Sequence, residues 1–177
     1  MSKTSKKQIL IDQMTLVKIL FRHGYTSMAE LKKKVPYSRQ KLWRTIKLFK
    51  RKKLIIGFHP IIDEKQLGLK GYMLLIKRSM MPMDKQHLTG LTNGVIQKKA
   101  DELDVLIDSF TYVHGSDIDF ILSFYALNLL PAIKFKNAIS ETYGKTAQNV
   151  TLIETLTPII KNGLQYPGKK DLETFFF

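Results

Sequence analysis

Arg39, Gln40, Lys41, Arg44 and Lys47 crowd into one short stretch behind Ser38, a residue suited to capping a helix. On a helix lying in a DNA major groove, the Arg39 and Arg44 guanidiniums can fork onto guanine O6/N7 and the Gln40 amide can pair with adenine N6/N7. Ser38, Lys41 and Lys47 are better placed for phosphates, helped by the positive end of the helix dipole. Trp43 lies about 100° round the helix from Leu42. It is either the edge of a core or an apolar contact to a thymine methyl or sugar. This chemistry is recognition rather than bond making. The sequence has no nucleophile–base pair, paired carboxylate constellation or phosphate-cradling glycine loop, so no catalytic residue is assigned and no enzyme is expected.

Composition narrows the field further. The chain has no cysteine, which removes disulfides and thiolate ligands together. His23, His59, His87 and His114 stand far apart without metal-binding spacing, so neither a metal site nor a cofactor is expected. His114 reads either as an ordinary strand-end residue or as a group titrating near neutral pH. No apolar run approaches the ~18 residues of a membrane span, and no hydrophobic signal segment opens the chain. A cytoplasmic, nucleoid-associated protein that keeps off membranes is the expectation.

The net charge of +14 belongs to the first third of the chain. Residues 1–53 carry 16 Lys and Arg against only Asp12 and Glu30, whereas residues 54–177 balance 13 against 13. Solvated helices normally mix both signs, but residues 31–53 contain no acid, and packing so much positive charge together costs self-repulsion unless a polyanion answers it. The partner this implies is double-stranded DNA.

Three helical elements must carry these side chains. From Ile11 to Phe21, apolar residues at Met14, Val17, Ile19, Leu20 and Phe21 recur at helical spacing, with His23-Gly24 as a stop. Ser27 caps a second helix from Met28 to about Val35, with Met28, Leu31 and Val35 inside and Glu30 in the first turn. Pro36-Tyr37 break the pattern. A third helix then runs from Ser38 to about Lys53, with Leu42, Ile46 and Phe49 forming its buried stripe. Two helices across a short turn, the second basic, make a helix-turn-helix. The apolar run from Leu54 onward is extended and can pair as a small wing, with Pro60 limiting it to an edge.

These residues resemble a known family. The segment ELKKKVPYSRQKLWRTIKLFKRKKLI at 30–55, followed by IGFHPIIDEKQLGLK at 56–70, is similar without a gap to the helix-turn-helix and hinge of the Lrp/AsnC, or feast/famine, transcription regulators. The match rests on the Ser-Arg helix start, the Leu-Ile ending, the pair Gly57-Phe58, and the Asp63-to-Gly68 hinge with its Leu-Gly. Pro36 replaces a usual turn Gly, and Lys32 a usual Ala.

Beyond the hinge, strand patterns at Gly71 to Ser79, Leu106 to His114, Asp119 to Tyr125 and Asn149 to Leu156 alternate with helices at about Asp84 to Leu103 and from the Asn128 cap to Tyr143-Gly144. The order β-α-β-β-α-β is ferredoxin-like. The fold class expected is therefore α+β. Residues 1–62 form a winged helix-turn-helix domain opened by a basic arm at 1–7. A hinge follows at 63–70, then a ferredoxin-like effector and oligomerisation domain at 71–162 and a Phe-rich tail at 163–177. The resemblance implies a homodimer or higher oligomer through the second domain. It also implies an amino-acid effector near the hairpin, with Gly115, Asp117 and Asp119 as candidate contacts. Those two aspartates read equally as solvated turn residues. Alternatives to a sequence-specific regulator are an architectural DNA-coating protein and, from a different class, a haem-precursor decarboxylase-like relative.

Overall fold

The computed structural model describes residues 6–23, 27–80, 85, 89, 93–114, 117–162 and 164–165. The chain divides into two compact units, residues 1–62 with the segment from 159, and residues 63–158.

The first unit is built on three helices: α1 (Lys6–His23), α2 (Met28–Lys34) and α3 (Arg39–Arg51). Their core is Leu16, Leu31, Val35, Tyr37, Leu42, Ile46 and Phe49, with Val17, Ile19, Leu20, Met28 and Ile55 packed around it. Leu16, outside the apolar set read from the sequence, is fully buried, whereas Met14 and Phe21 of that set are exposed. An apolar run this dense allows more than one inner stripe, and the register is decided by what α2 and α3 offer. The helix also starts earlier than the sequence suggests, so Lys6 and Lys7 are helical rather than part of an arm.

The turn between α2 and α3 solves the problem set by Pro36. Val35 ends α2 at φ −119°, ψ 145° and Ser38 is extended at φ −62°, ψ 154°. The extended backbone at Val35 is what a following proline demands. The turn therefore dispenses with the left-handed residue that a glycine would supply. Residues 54–63 run on without a ladder partner among the described residues, so no paired hairpin forms there for the expected wing. A short hairpin, β5 (Ile160–Lys161) with β6 (Leu164–Gln165), belongs to this unit, and Lys161 Nζ donates to Ile62 O at 3.1 Å.

The second unit opens with a 3₁₀ turn at Glu64–Leu67 that ends on Gly68 at φ 71°, a conformation that explains the Gly of the hinge. Then follow β1 (Lys70–Arg78), α4 (Val95–Glu102), β2 (Leu106–Tyr112), β3 (Phe120–Ala126), α5 (Leu129–Tyr143) and β4 (Ala147–Thr155). The sheet order β2-β3-β1-β4, antiparallel throughout, is the ferredoxin-like arrangement. The helix expected at about 84–103 does not run whole to its end: Lys85 and Thr89 are helical, but Asn93-Gly94 form a turn, with Gly94 at φ 72°, before α4 begins. Tyr72, Leu74 and Ile76 of β1 with Phe120, Leu122 and Phe124 of β3 face Ile96, Ala100, Ala132, Phe135, Ile139 and Tyr143 of the helices. The alternate residues Met73, Leu75, Ile121, Ser123 and Tyr125 fall on the opposite face of the sheet, where they are half-buried.

Candidate nucleic-acid interface

Helix α3 presents two unlike faces. Leu42, Ile46 and Phe49 are buried at i, i+4 and i+7, and this stripe fixes the helix's rotation about its axis. Arg39, Gln40, Trp43, Arg44, Lys47, Lys50 and Arg51 are all exposed on the remaining surface. The expected base-reading residues Arg39, Gln40 and Arg44 are thus brought together near the start of the helix.

Ser38 Oγ accepts a hydrogen bond from Lys41 N at 3.2 Å, so the hydroxyl caps the helix it precedes. Its proton is still free to be donated. Lys41 is different from the other cations: its ammonium is paired with Asp12 of α1. That carboxyl also accepts from Gln8 Nε2 at 3.0 Å, and these two hydrogen bonds, Lys41's first, hold it below its ordinary value. Tyr37 completes the joint by donating its hydroxyl to Asp12 O at 3.3 Å. Burial and then the Asp12 charge push the Tyr37 phenol up to about 12. The other acid of the basic third, Glu30, pairs with Lys33 at 2.7 Å.

Trp43 is 52% exposed and is not among the side chains packed around the first unit's core. The sequence alone could not decide this, because 100° from a buried stripe lies at the boundary between inside and outside. Lys47 Nζ stands 4.9 Å from the indole centroid. Two features went unanticipated. Lys50 Nζ lies 5.2 Å from the Phe58 ring, tying α3 to the extended segment after it, and Lys18 and Arg22 add two exposed cations one turn apart on α1. The Lys18–Arg22 spacing was the available signal.

At the hairpin of the second unit, Gly115 lies outside the described residues, as does the Phe-rich end of the chain. Asp119 accepts from Arg78 N at 2.7 Å and from Arg78 Nε at 3.0 Å, and these bonds, the backbone one first, lower its carboxyl below the ordinary range. Asp117 is almost wholly exposed, with Lys77 at 3.5 Å. Both aspartates therefore face cations of β1. His114 is exposed at the strand end.

The two units make the chain a helix-turn-helix protein with an attached ferredoxin-like domain. That combination is the fold of the Lrp/AsnC transcription regulators. A solved structure of a protein named PH0061 is 24% identical, with a TM-score of 0.59 over 89% of this chain and 96% of the other. An AsnC-family transcriptional regulator from Agrobacterium tumefaciens is 17% identical, with a TM-score of 0.59 over 84% and 91%. A transcriptional regulator from Neisseria meningitidis in complex with L-Met is 12% identical, with a TM-score of 0.62 over 90% and 94%. At these identities the likeness is one of fold. No family profile and no curated protein sequence matches the chain. No helix among the described residues is long and apolar enough to cross a membrane.

Proposed function

We propose that this chain is a sequence-specific, DNA-binding transcription regulator of the Lrp/AsnC type rather than an enzyme, acting in the cytoplasm on the nucleoid. The observation that carries the reading is the outward face of α3. Arg39, Gln40 and Arg44 are exposed together at the helix start, on a helix oriented by a buried Leu42/Ile46/Phe49 stripe and free of acidic residues. An α-helix fits the major groove, and these side-chain types match base edges there. Lys47 and Ser38 serve phosphates on either side of the reading residues. Lys41 does so only after giving up Asp12.

A homodimer, or a larger assembly, is part of the proposal. The sheet face bearing Met73, Leu75, Ile121 and Tyr125 is the one opposite the face packed on α4 and α5 among the described residues, and the balanced charge of residues 54–177 permits self-association that a +14 surface would oppose. A second copy is the occupant proposed for that face. A small amino acid is the proposed effector, with Asp117, Asp119 and the neighbouring Gly115 as its contacts. The L-Met complex of the Neisseria regulator supports that class of ligand.

Selection of bound duplexes at near-physiological salt, with and without a mixture of amino acids, tests the reading. Enrichment of a defined sequence supports a regulator, and a change of enrichment with amino acids supports the effector. Equal binding to selected and random duplexes would leave an architectural coating protein, and no binding would end the proposal. Light scattering of the full chain should give at least twice the mass of one chain.

A further inference from the structure

We infer that Trp43 is a specificity-determining residue whose indole reads the 5-methyl group of thymine in the major groove. This rests on the proposed DNA-binding function and goes beyond it, because it assigns one base and one atom to one side chain.

The inference starts from where the chain has placed its sole tryptophan. The core of the first unit is closed by Leu42, Ile46 and Phe49, about 100° round α3, and Trp43 contributes about half its surface to solvent instead. Leaving that much apolar area in water sacrifices stabilisation that burial would give. On a helix, Arg39 and Lys47 are four residues to either side of Trp43 and Gln40 is three before it, so the indole stands within the exposed basic face. Lys47 at 4.9 Å is a cation–π partner, which holds the ring and neutralises none of the surrounding charge.

A phosphate backbone has no use for an indole. A protein that merely coated DNA would bind better with a cation at position 43, since each phosphate contact adds affinity through counterion release. Among the groups displayed in the major groove, the thymine 5-methyl is the apolar one. An exposed apolar side chain in the middle of a helix face suited to that groove is matched by that methyl.

The experiment uses the full-length wild-type protein and a duplex recovered by selection, with each thymine replaced in turn by deoxyuridine, which removes only the methyl. At one or two thymines, loss of the contact should weaken binding about fourfold, the equivalent of ~0.8 kcal/mol for one methyl-sized apolar group. Replacements elsewhere should be neutral. Trp43→Ala should bind the thymine and uracil duplexes equally, and its exposed position protects the fold from the change. Because no other tryptophan exists, the intrinsic indole emission should shift on adding the selected duplex. Neutral deoxyuridine at every position, undiminished thymine preference in Trp43→Ala, or unchanged emission in a bound complex would each overturn the inference while leaving DNA binding intact. Failure to bind any duplex would instead remove the functional proposal on which it stands.

Discussion

Asp12 of α1 is ion-paired with Lys41 of α3, and through it the helix that carries the proposed reading residues is tied to the helix that precedes the motif. The lowered Asp12 carboxyl means that the pair stabilises the folded state fully above the ordinary value of 3.8, and that this contribution disappears as pH falls through the depressed folded value. Asp12→Asn should therefore lower stability by roughly 0.5 to 1 kcal/mol near neutral pH, as a partly exposed pair does. Urea midpoints of the two proteins should draw together only as pH falls below 3.8 and through the depressed folded value of Asp12. The same change frees Lys41, so the slope of log affinity against log salt should steepen by about 0.9 if a phosphate takes it. An unchanged slope would show that Lys41 stays off the backbone.

Arg39 and Arg44 make a separate prediction because neither contributes to the core. Reversing both to Glu should abolish recovery of any preferred sequence and leave thermal stability and oligomeric mass unaltered. A single Arg44→Ala should cost about 1 to 3 kcal/mol on the selected duplex and relax preference at one guanine. Competition binding against permuted sequences checks this. A uniform loss across all sequences would place Arg44 on phosphate.

The two hairpin aspartates should separate by experiment. Asp119 holds Arg78 by its backbone and side chain, and Arg78 in turn lies 6.0 Å from the Tyr112 ring, so its carboxylate joins β3 to β1. Asp119→Ala should destabilise the second domain by roughly 1.5 to 3 kcal/mol, the range for hydrogen bonds to a charged group, whether or not an effector is present. Asp117→Ala should leave stability within about 0.5 kcal/mol and alter only the response to amino acids. Denaturant titrations with and without the amino-acid mixture distinguish the two. A stable Asp119→Ala with a lost response would make Asp119 a ligand contact alone.

Much of this architecture was legible because local chemistry and tertiary packing agreed. Ser27, Ser38 and Asn128 each accept the hydrogen bond that a cap predicts, from Glu30 N, Lys41 N and Leu130 N. The inner stripe of α3 was visible for the same reason, one period and no competitor, whereas β1 alternates only weakly in sequence. Where several faces were apolar, as on α1, the sequence could not say which one wins, and Leu16 was missed. Trp43 was ambiguous, and Lys41, read as a phosphate contact, was not foreseen as the partner of Asp12, for another reason. Their roles depend on contacts between side chains distant in sequence, Lys41 with Asp12, or on the absence of such contacts, and no local pattern records either. The wing is unpaired among the described residues, because an extended apolar run needs a partner strand and propensity alone does not supply one.

Tyr143, near the end of α5, tests the core of the second domain most directly. Its side chain is 7% exposed, and its hydroxyl is buried without a hydrogen-bond partner among the described residues. Burial accordingly pushes its phenol up to about 12. The surroundings are mostly apolar, including Ile76, Phe110, Phe120 and Ala147. A hydroxyl desolvated without compensation costs roughly 1 to 3 kcal/mol by comparison with proteins at large, so removing it while keeping the ring should help or be neutral. Tyr143→Phe is expected to raise the unfolding free energy by up to about 1 kcal/mol, whereas Tyr143→Ala should lower it by about 3 to 5 through loss of the ring and the cavity left behind. Both are read from urea unfolding of the full chain by a probe confined to the second domain. A Tyr143→Phe protein less stable than wild type by 1 kcal/mol or more would mean that the hydroxyl has a partner in solution, an ordered water or a bound molecule, at the end of the sheet where Arg78 and Asp119 meet.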